Sequence, residues 1–482
     1  MDLIGAGLLA PARSVFPYSC TVMSNRLPIL ALVAPLAMVL AGSAGATSLK
    51  EAVEKAVTEH PSVAAAQVSL RATEAVRYQS IGRFFPEITL RGEVREEIID
   101  RPGAFGPDDN NEFRRANDIG VNIRQVLFDG FDRINDVYRS QARITAASHK
   151  ILARSEAVAL NGIEAYIDVV RHNRLIGLGN ANVQRHRDLL KLVQARVEGG
   201  KNTEGDLRQT RERLQAAIAL VSQIRIARDT ARAKYKAAIG EEPRGLRRAP
   251  LPRLPFQSSA SAVQTALSHN PRIAAMKAEI EAAGFQTDQA RSSFYPLVTL
   301  EADGSRGDNL DGTEGRSDEF KAQLKFSWKV FDGLVQYRRV EELTEREYVK
   351  VAERDALLRE ITQEIEISWS RIIEGRVQVA AKSEQLEETE RVVAAYREEY
   401  EADRRSLLDV LDAENTRFAI EFELSNVRSI RAFAAYQILG HAGVLLDHLG
   451  VRRPDGGDRA SGGVYSSSYS SPIKSFVIPP LK

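Results

Sequence analysis

The stretch Val126-Leu-Phe-Asp-Gly130 returns as Lys329-Val-Phe-Asp-Gly333, 203 residues later. Two other stretches return in the same order, both 210 residues apart: His60-Pro61-Ser-Val-Ala-Ala as Asn270-Pro271-Arg-Ile-Ala-Ala, and Phe85-Pro86-Glu-Ile-Thr-Leu90 as Tyr295-Pro296-Leu-Val-Thr-Leu300. Agreement at three separated places in register is improbable by chance, so the chain reads as a duplication. The change from 210 to 203 calls for a shorter loop in the second copy. The copies run over 47–245 and 258–447, with a linker at 246–257, an N-terminal stretch 1–46 to be removed and a disordered tail 448–482.

Within each copy the hydrophobic period changes in the same order. Residues 48–84 and 258–294 are Ala-rich with helical spacing, and each segment runs into a proline, which tends to end a helix. A period of two follows: Ile88, Leu90 and Val94 alternate with Glu87, Thr89, Arg91, Glu93 and Arg95. A partner strand sets Ile119, Val121 and Ile123 against Asn122 and Arg124; in the second copy Phe320, Ala322, Leu324, Phe326, Trp328 and Val330 alternate with Lys321, Gln323, Lys325, Ser327 and Lys329. Strands are expected at about 86–97, 117–128, 296–304 and 319–331, with exposed Gly/Asp/Asn-rich loops at 100–118 and 305–318.

Long helices carry the charge. No proline interrupts Phe131 to Gly199 or Leu334 to Asp403, and runs of about 70 residues reach about 100 Å. Partners start near Asp206 and Leu407 and return antiparallel after short turns. Leu207, Thr210, Leu214, Ala217, Val221 and Ile224 alternate spacings of three and four, as do Leu386, Thr389, Val393, Tyr396 and Tyr400. That is a narrow coiled-coil seam. Gly162, Gly177, Gly179 and Gly375 are expected bending points. Four prolines keep Glu242 to Pro255 from being helical.

The 482 residues are 27% charged, with 66 Lys+Arg against 65 Asp+Glu, one Cys and 7 His. Such a balance offers no basic field for nucleic acid and no disulfide framework. The apolar run Leu27 to Leu40, after Arg26 and before Ala44-Gly45-Ala46, reads as a secretory signal peptide cleaved after Ala46, with Met23 a plausible start. Its removal takes Arg13, Arg26, Asp2 and Cys20, leaving 64 bases, 64 acids and no cysteine. Ser43 stands where a bacterial lipoprotein would carry its acylated Cys. The histidines show no metal-ligand spacing, Gly177-Leu-Gly179 lacks the third glycine of a dinucleotide loop, and nothing supports catalysis, a metal or a cofactor.

An exported chain without a long apolar span enters a membrane only as a closed barrel, because open sheet edges leave backbone groups unpaired in lipid. Four strands are too few to close one, about eight being the minimum. Three chains supply twelve, and other stoichiometries satisfy the same arithmetic. The rival reading is a small soluble sheet packed on a helical bundle, as in a periplasmic scaffold or adaptor.

The order of helix, two strands and long helix pair, given twice, resembles the TolC family of bacterial outer-membrane export channels over about 48–447. The most specific residues are Tyr400-Glu-Ala-Asp-Arg-Arg405-Ser-Leu-Leu-Asp409-Val-Leu-Asp412-Ala-Glu, supported by His60-Pro61, Asn270-Pro271 and both Phe-Asp-Gly turns. The resemblance implies a mainly α fold with a membrane β-barrel: a homotrimer whose twelve-stranded barrel in outer-membrane lipid continues into a periplasmic α-helical tunnel. Its implied partners are a periplasmic adaptor and an inner-membrane pump. Ser48-Leu-Lys-Glu-Ala and Gln125-Val-Leu-Phe-Asp-Gly130 look most like type I secretion members, which points to an ABC exporter; small-molecule efflux is the near alternative.

By the same resemblance Asp409 and Asp412 line the channel constriction. They stand one helical turn apart, and rings of carboxylates favour cations. Ser406-Leu-Leu-Asp409 also has the form of a helix cap, repeated in Thr203-Glu-Gly-Asp206, so Asp409 is open to both roles. Tyr400, Arg405 and Asp206 match positions of a gate latch; ordinary charge on a helix tip is the rival. Gly199, Gly200 and Lys201 with Ala402, Asp403 and Arg404 form the tips expected to meet the adaptor, departing from the Val-Gly-Leu or Val-Gly-Thr of many drug-efflux members. Lys321, Lys325 and Lys329 with Arg91, Arg95 and Arg124 are expected on a wet barrel lumen.

Overall fold

In the computed structural model, residues 47–99 and 113–457 are described. The expected signal peptide with Cys20, most of the first hairpin loop and the expected tail from 458 lie outside them.

The duplication is visible element by element. The first copy holds α1 (Leu49–Glu59), α2 (Pro61–Gly82), β1 (Glu87–Ile98), β2 (Phe113–Phe128), α3 (Asp132–Glu198) and α4 (Glu204–Ile239). The second holds α5 (Ser259–His269), α6 (Pro271–Arg291), β3 (Leu297–Asp308), β4 (Arg316–Ser327), α7 (Val335–Glu401) and α8 (Leu407–Ala442), followed by α9 (Leu445–Leu449). Each opening helix breaks at X-Pro: His60 and Asn270 are extended, cap the next helix with their side chains, and place the proline at its first turn, where no N–H is needed. α3 and α7 have 67 residues each, α4 and α8 have 36 each.

The four strands form one antiparallel sheet in the order β1-β2-β3-β4. They differ in extent from the sequence expectation. β2 and β4 begin earlier and β3 runs further, because Arg114, Arg115, Arg306 and Arg316 continue the ladder through stretches whose polarity reads as loop. β4 ends at Ser327, so Trp328, Lys329 and Val330 lie past it, Trp328 donating its indole N–H to Phe294 O at 3.1 Å.

The main core sits where α1, α3, α4, α8 and α9 meet, around Val53, Ile163, Tyr166, Tyr235, Tyr436 and Leu439. The linker is tied to it: Arg247 N–H donates to the Tyr166 hydroxyl at 3.0 Å, and Tyr436 donates to Pro250 O at 2.8 Å. Residues 448–457, expected within the disordered tail, instead pack on the bundle. Val451 is buried, and Ser148 Oγ donates to Gly456 O at 2.5 Å, since small residues there let the chain lie against α3.

All six α4 seam residues, Leu207 to Ile224, are buried. The glycines expected to bend helices do not interrupt them; α3 and α7 run through unbroken. Instead two admit a neighbour: a Cβ on Gly179 would lie 2.8 Å from Val221 Cγ2, and one on Gly375 would lie 3.3 Å from Arg431 Cβ. Among the described residues no helix is long and apolar enough to cross a membrane.

Candidate functional site

Register fixes which strand residues share a face. Ile88, Ile123, Ala302 and Ala322 lie in one row, and Leu90, Val121, Gly304 and Phe320 in the next. This apolar face is bare in the chain: Ile88 is 67% exposed, Leu90 70% and Phe320 79%. Toward the loops it ends in an ion pair, Arg306 Nε to Asp318 Oδ1 at 2.6 Å. Such a band, apolar outward and bounded by charge, is what hydrocarbon solvates and water does not.

The opposite face collects the expected lumen residues except Lys329, which lies beyond the strand. It is not a basic wall. Arg91 lies 3.6 Å from Asp118, Arg95 2.8 Å from Glu97, Arg124 3.8 Å from Glu301, Lys321 2.8 Å from Glu319 and Lys325 4.0 Å from Glu301. Glu97 and Glu319 stand two residues from their partners on the same strand, whereas Asp118 and Glu301 come from neighbouring strands and no lone strand pattern could show them.

The Phe-Asp-Gly turns join strand to long helix. Gly130 and Phe131 both have positive φ (65° and 72°), as do Gly333 and Leu334 (72° and 67°). The preceding aspartate caps the helix: Asp129 accepts from the Arg133 N–H at 3.3 Å and Asp332 from the Gln336 N–H at 3.1 Å. A glycine and an acid are needed there, which is why this stretch recurs.

At the far end the two helix turns have the same construction. Lys201 N–H reaches back to Arg196 O and Arg404 N–H to Glu399 O, each at 2.8 Å, with Gly200 and Asp403 at positive φ. The expected tip residues are brought together: Lys201 Nζ lies 3.1 Å from Asp403, and Arg196 also pairs with Asp403. Arg196 further donates to Glu401 O at 3.2 Å and lies over the Tyr400 ring at 4.7 Å. It is the joint between the tips, and nothing in its local sequence marks it.

Asp206 closes a full capping box, accepting from Thr203 N–H at 2.9 Å, and that bond first of all holds its carboxyl below the usual range. Asp409 is half engaged: its N–H donates to Ser406 Oγ at 3.2 Å and its carboxylate accepts from that hydroxyl at 2.9 Å. Asp412 is more open, 62% exposed and 3.9 Å from Arg213 of α4. The two share the exposed stripe of α8, opposite buried Leu407, Val410 and Leu411. Arg405 stays within its own turn, donating to Glu399 at 2.8 Å, 3.8 Å from Asp409 and stacked at 4.1 Å on Tyr396. Burial pushes the Tyr400 hydroxyl up, and the charge of Asp206 adds to it while Arg196 and Asn202 oppose.

One charged cluster was not foreseen. Glu414, 1% exposed, lies 2.6 Å from Arg397 of α7, 3.2 Å from Arg417 of α8 and 3.3 Å from Arg185 of α3. It ties the two helix pairs together just behind the tip. Its only sequence signal is an acid on the apolar stripe of α8.

The family model described as "Outer membrane efflux protein" matches residues 52–241 and 262–443. The chain is 25% identical over 346 residues to the outer membrane efflux protein BepC of Brucella suis, covering 71% of this chain and 75% of that one. It is 23% identical over 335 residues to the alkaline protease secretion protein AprF of Pseudomonas aeruginosa, covering 67% and 69%. Its fold is similar to that of the outer membrane protein VceC of Vibrio cholerae, with a TM-score of 0.71 at 19% identity, covering 84% of this chain and 97% of that one.

Proposed function

The chain belongs to the outer membrane efflux protein (TolC) family, and from that premise we propose that it works as a homotrimeric, passive conduit for type I protein secretion. It is a non-enzymatic outer-membrane channel with a periplasmic helical domain. In the proposed assembly three four-stranded sheets close a twelve-stranded barrel, and an adaptor joins the helical tips to an inner-membrane ABC exporter.

One observation carries the self-assembly. In the first copy the strand–helix junction is filled from within: a Cβ on Gly130 would lie 2.4 Å from Ser292 O, and Phe128, Phe131 and Tyr295 pack edge to face at 5.6 to 6.5 Å. In the second copy nothing approaches Gly333 within 4 Å, and Phe331 (78%), Leu334 (45%) and Phe85 (70%), which stand where Phe128, Phe131 and Tyr295 stand in the first, are exposed. The outer edges β1 and β4 likewise have no strand neighbour among the described residues. The chain therefore contains one example of a contact whose other half a second copy supplies, and the family's channels form trimers.

For cargo, the relative named for alkaline protease secretion favours protein, and the one named as an efflux protein favours small molecules. Deleting the gene separates them: secretion lost with drug susceptibility unchanged supports the first, and the reverse result rejects it. Three chains would set Asp409 and Asp412 as two carboxylate rings. Asp409→Ala with Asp412→Ala should then weaken the block of single-channel current by trivalent cations in planar bilayers, and an unchanged block removes the rings. Tyr400, Arg405 and Asp206 are assigned to the latch on this reading, Arg405→Ser being expected to raise conductance.

A further inference from the structure

A cavity of about 610 Å³ opens between α3, α8 and the linker, with Val379 of α7 on one side. Ile167, Val170, Leu251 and Ala432 make part of its wall apolar, and five guanidinium groups line the rest: Arg171 and Arg174 of α3, Arg248 of the linker, Arg428 and Arg431 of α8. Among the described residues no carboxylate lines it. Arg171 is compensated, pairing with Asp168 and lying 3.4 Å from Asn426 Oδ1. Among the described residues the others have no carboxylate partner: Arg174 and Arg248 are exposed to water, Arg428 is half-buried and reaches the neutral Ser383 Oγ at 3.3 Å, and the buried Nε of the half-buried Arg431 has no acceptor. Burial, with the charges of Arg248 and Arg174 added, holds the Arg428 guanidinium below its ordinary value.

Like charges gathered without counter-charge are unfavourable unless a ligand supplies it. Here they come from three separate stretches of chain, so the ligand is held from several sides. A single carboxylate satisfies one fork, whereas a tetrahedral oxyanion accepts from several. The apolar wall and a volume well beyond a bare phosphate call for an attached organic group. The cavity lies some 38 residues along α3 from the strand junction, roughly 55 Å, which puts it out of reach of outer-membrane lipid.

We propose that this cavity is a periplasmic binding site for an organic phosphate, with Arg248 and Arg428 as its principal anion-holding residues and Ile167, Val170 and Leu251 receiving the organic part. The site does not depend on the cargo or on the aperture of the constriction.

Isothermal titration of the full chain, purified in detergent, tests it with phenyl phosphate, inorganic phosphate and chloride at matched ionic strength. Phenyl phosphate is expected to bind saturably, one per chain and tighter than inorganic phosphate. Arg248→Ala with Arg428→Ala should weaken it at least about tenfold, since two charge-assisted forks are lost. Arg211→Ala on the exposed face of α4 should change nothing. If the double variant fails to assemble, Leu251→Glu sets a carboxylate in the lining and should abolish binding. Heat no larger than chloride gives, equal affinity in the double variant or in Leu251→Glu, or binding of a Glu-rich peptide in place of phenyl phosphate would overturn the proposal.

Discussion

The long helices α3 and α7 have the same length and the same place in their repeats, yet they are buried differently. α3 buries side chains from Arg133 to Val193, whereas α7 buries only Leu343, Ile361, Ile365, Ser368, Gly375, Val393 and Tyr400. The cause is position. α3 lies between α2 and α6, with α4 and α8 also against it, while α7 has α6 on one side and in the single chain nothing equivalent on the other. Tyr348, Val349 and Val377 are left 63%, 54% and 59% exposed. A duplicated chain that forms a ring thus displays one interface complete and the matching one open, and the first is a template for the second.

The largest expected effect tests that template. Gly130→Ala combines a disfavoured left-handed conformation with overlap against backbone, and should cost about 4 kcal/mol or prevent folding. Gly333→Ala meets open space in the single chain and would cost about 1 kcal/mol from conformation alone. If another copy fills the junction, its cost approaches that of Gly130→Ala. The temperature at which the oligomer band dissociates on gels distinguishes the cases, and a harmless Gly333→Ala breaks the comparison.

Glu414 sharpens it from the other side. The matching position in α4 is Arg211, which is exposed, so the cage of three arginines belongs to the second pair alone. Glu414→Ala removes the carboxylate of Arg397 and Arg417, leaves Arg185 with Glu421 alone, and should lower stability by about 3 kcal/mol in urea titration, against less than about 0.5 kcal/mol for Arg211→Ala. Equal effects would show the cage to be well solvated.

A pH-dependent effect concerns Glu156 in α3, whose counterpart in α7 is the exposed Arg359. Burial pushes the Glu156 carboxyl up to about 8, opposed by the Leu446 N–H that it accepts at 3.4 Å. The folded chain therefore keeps a proton that the unfolded chain releases above the ordinary value of 4.5. Stability from this group is fully present below that value and falls by about 1.4 kcal/mol per pH unit until the pH passes the raised pKa. Glu156→Gln should flatten this slope in melts between about pH 5 and about pH 8, and an unchanged slope would place the titration elsewhere.

Much of the fold was legible along the chain. The strand faces could be told apart by alternation, the helix starts by His60-Pro61, Asn270-Pro271 and Ser406, and the seam of α4 by its spacing. Strand ends were misjudged where arginines extend a ladder, because charge is tolerated on a sheet whose far end is wet. Of the four glycines expected to bend helices, Gly179 and Gly375 instead admit Val221 and Arg431, which no local pattern reveals. At the tip, Asp409 and Asp412 were readable as one face of a helix, but Arg196, which joins the turns, was not.

What the sequence by itself determined is what lies within one or two turns of chain: the period of each segment, its caps and breaks, and the repetition of the whole plan. What only the tertiary structure decided are the partnerships between separate elements, from Arg397 with Glu414 across one helix turn to Arg124 with Glu301 across the two copies. The acids brought to Arg91 and Arg124 by neighbouring strands, the cage around Glu414, the arginines left without acids beneath the linker and the junction left open at Gly333 all belong here. Helix and strand propensities are short-range, whereas a buried charge or an unfilled contact is defined by what the returning chain does or does not bring beside it.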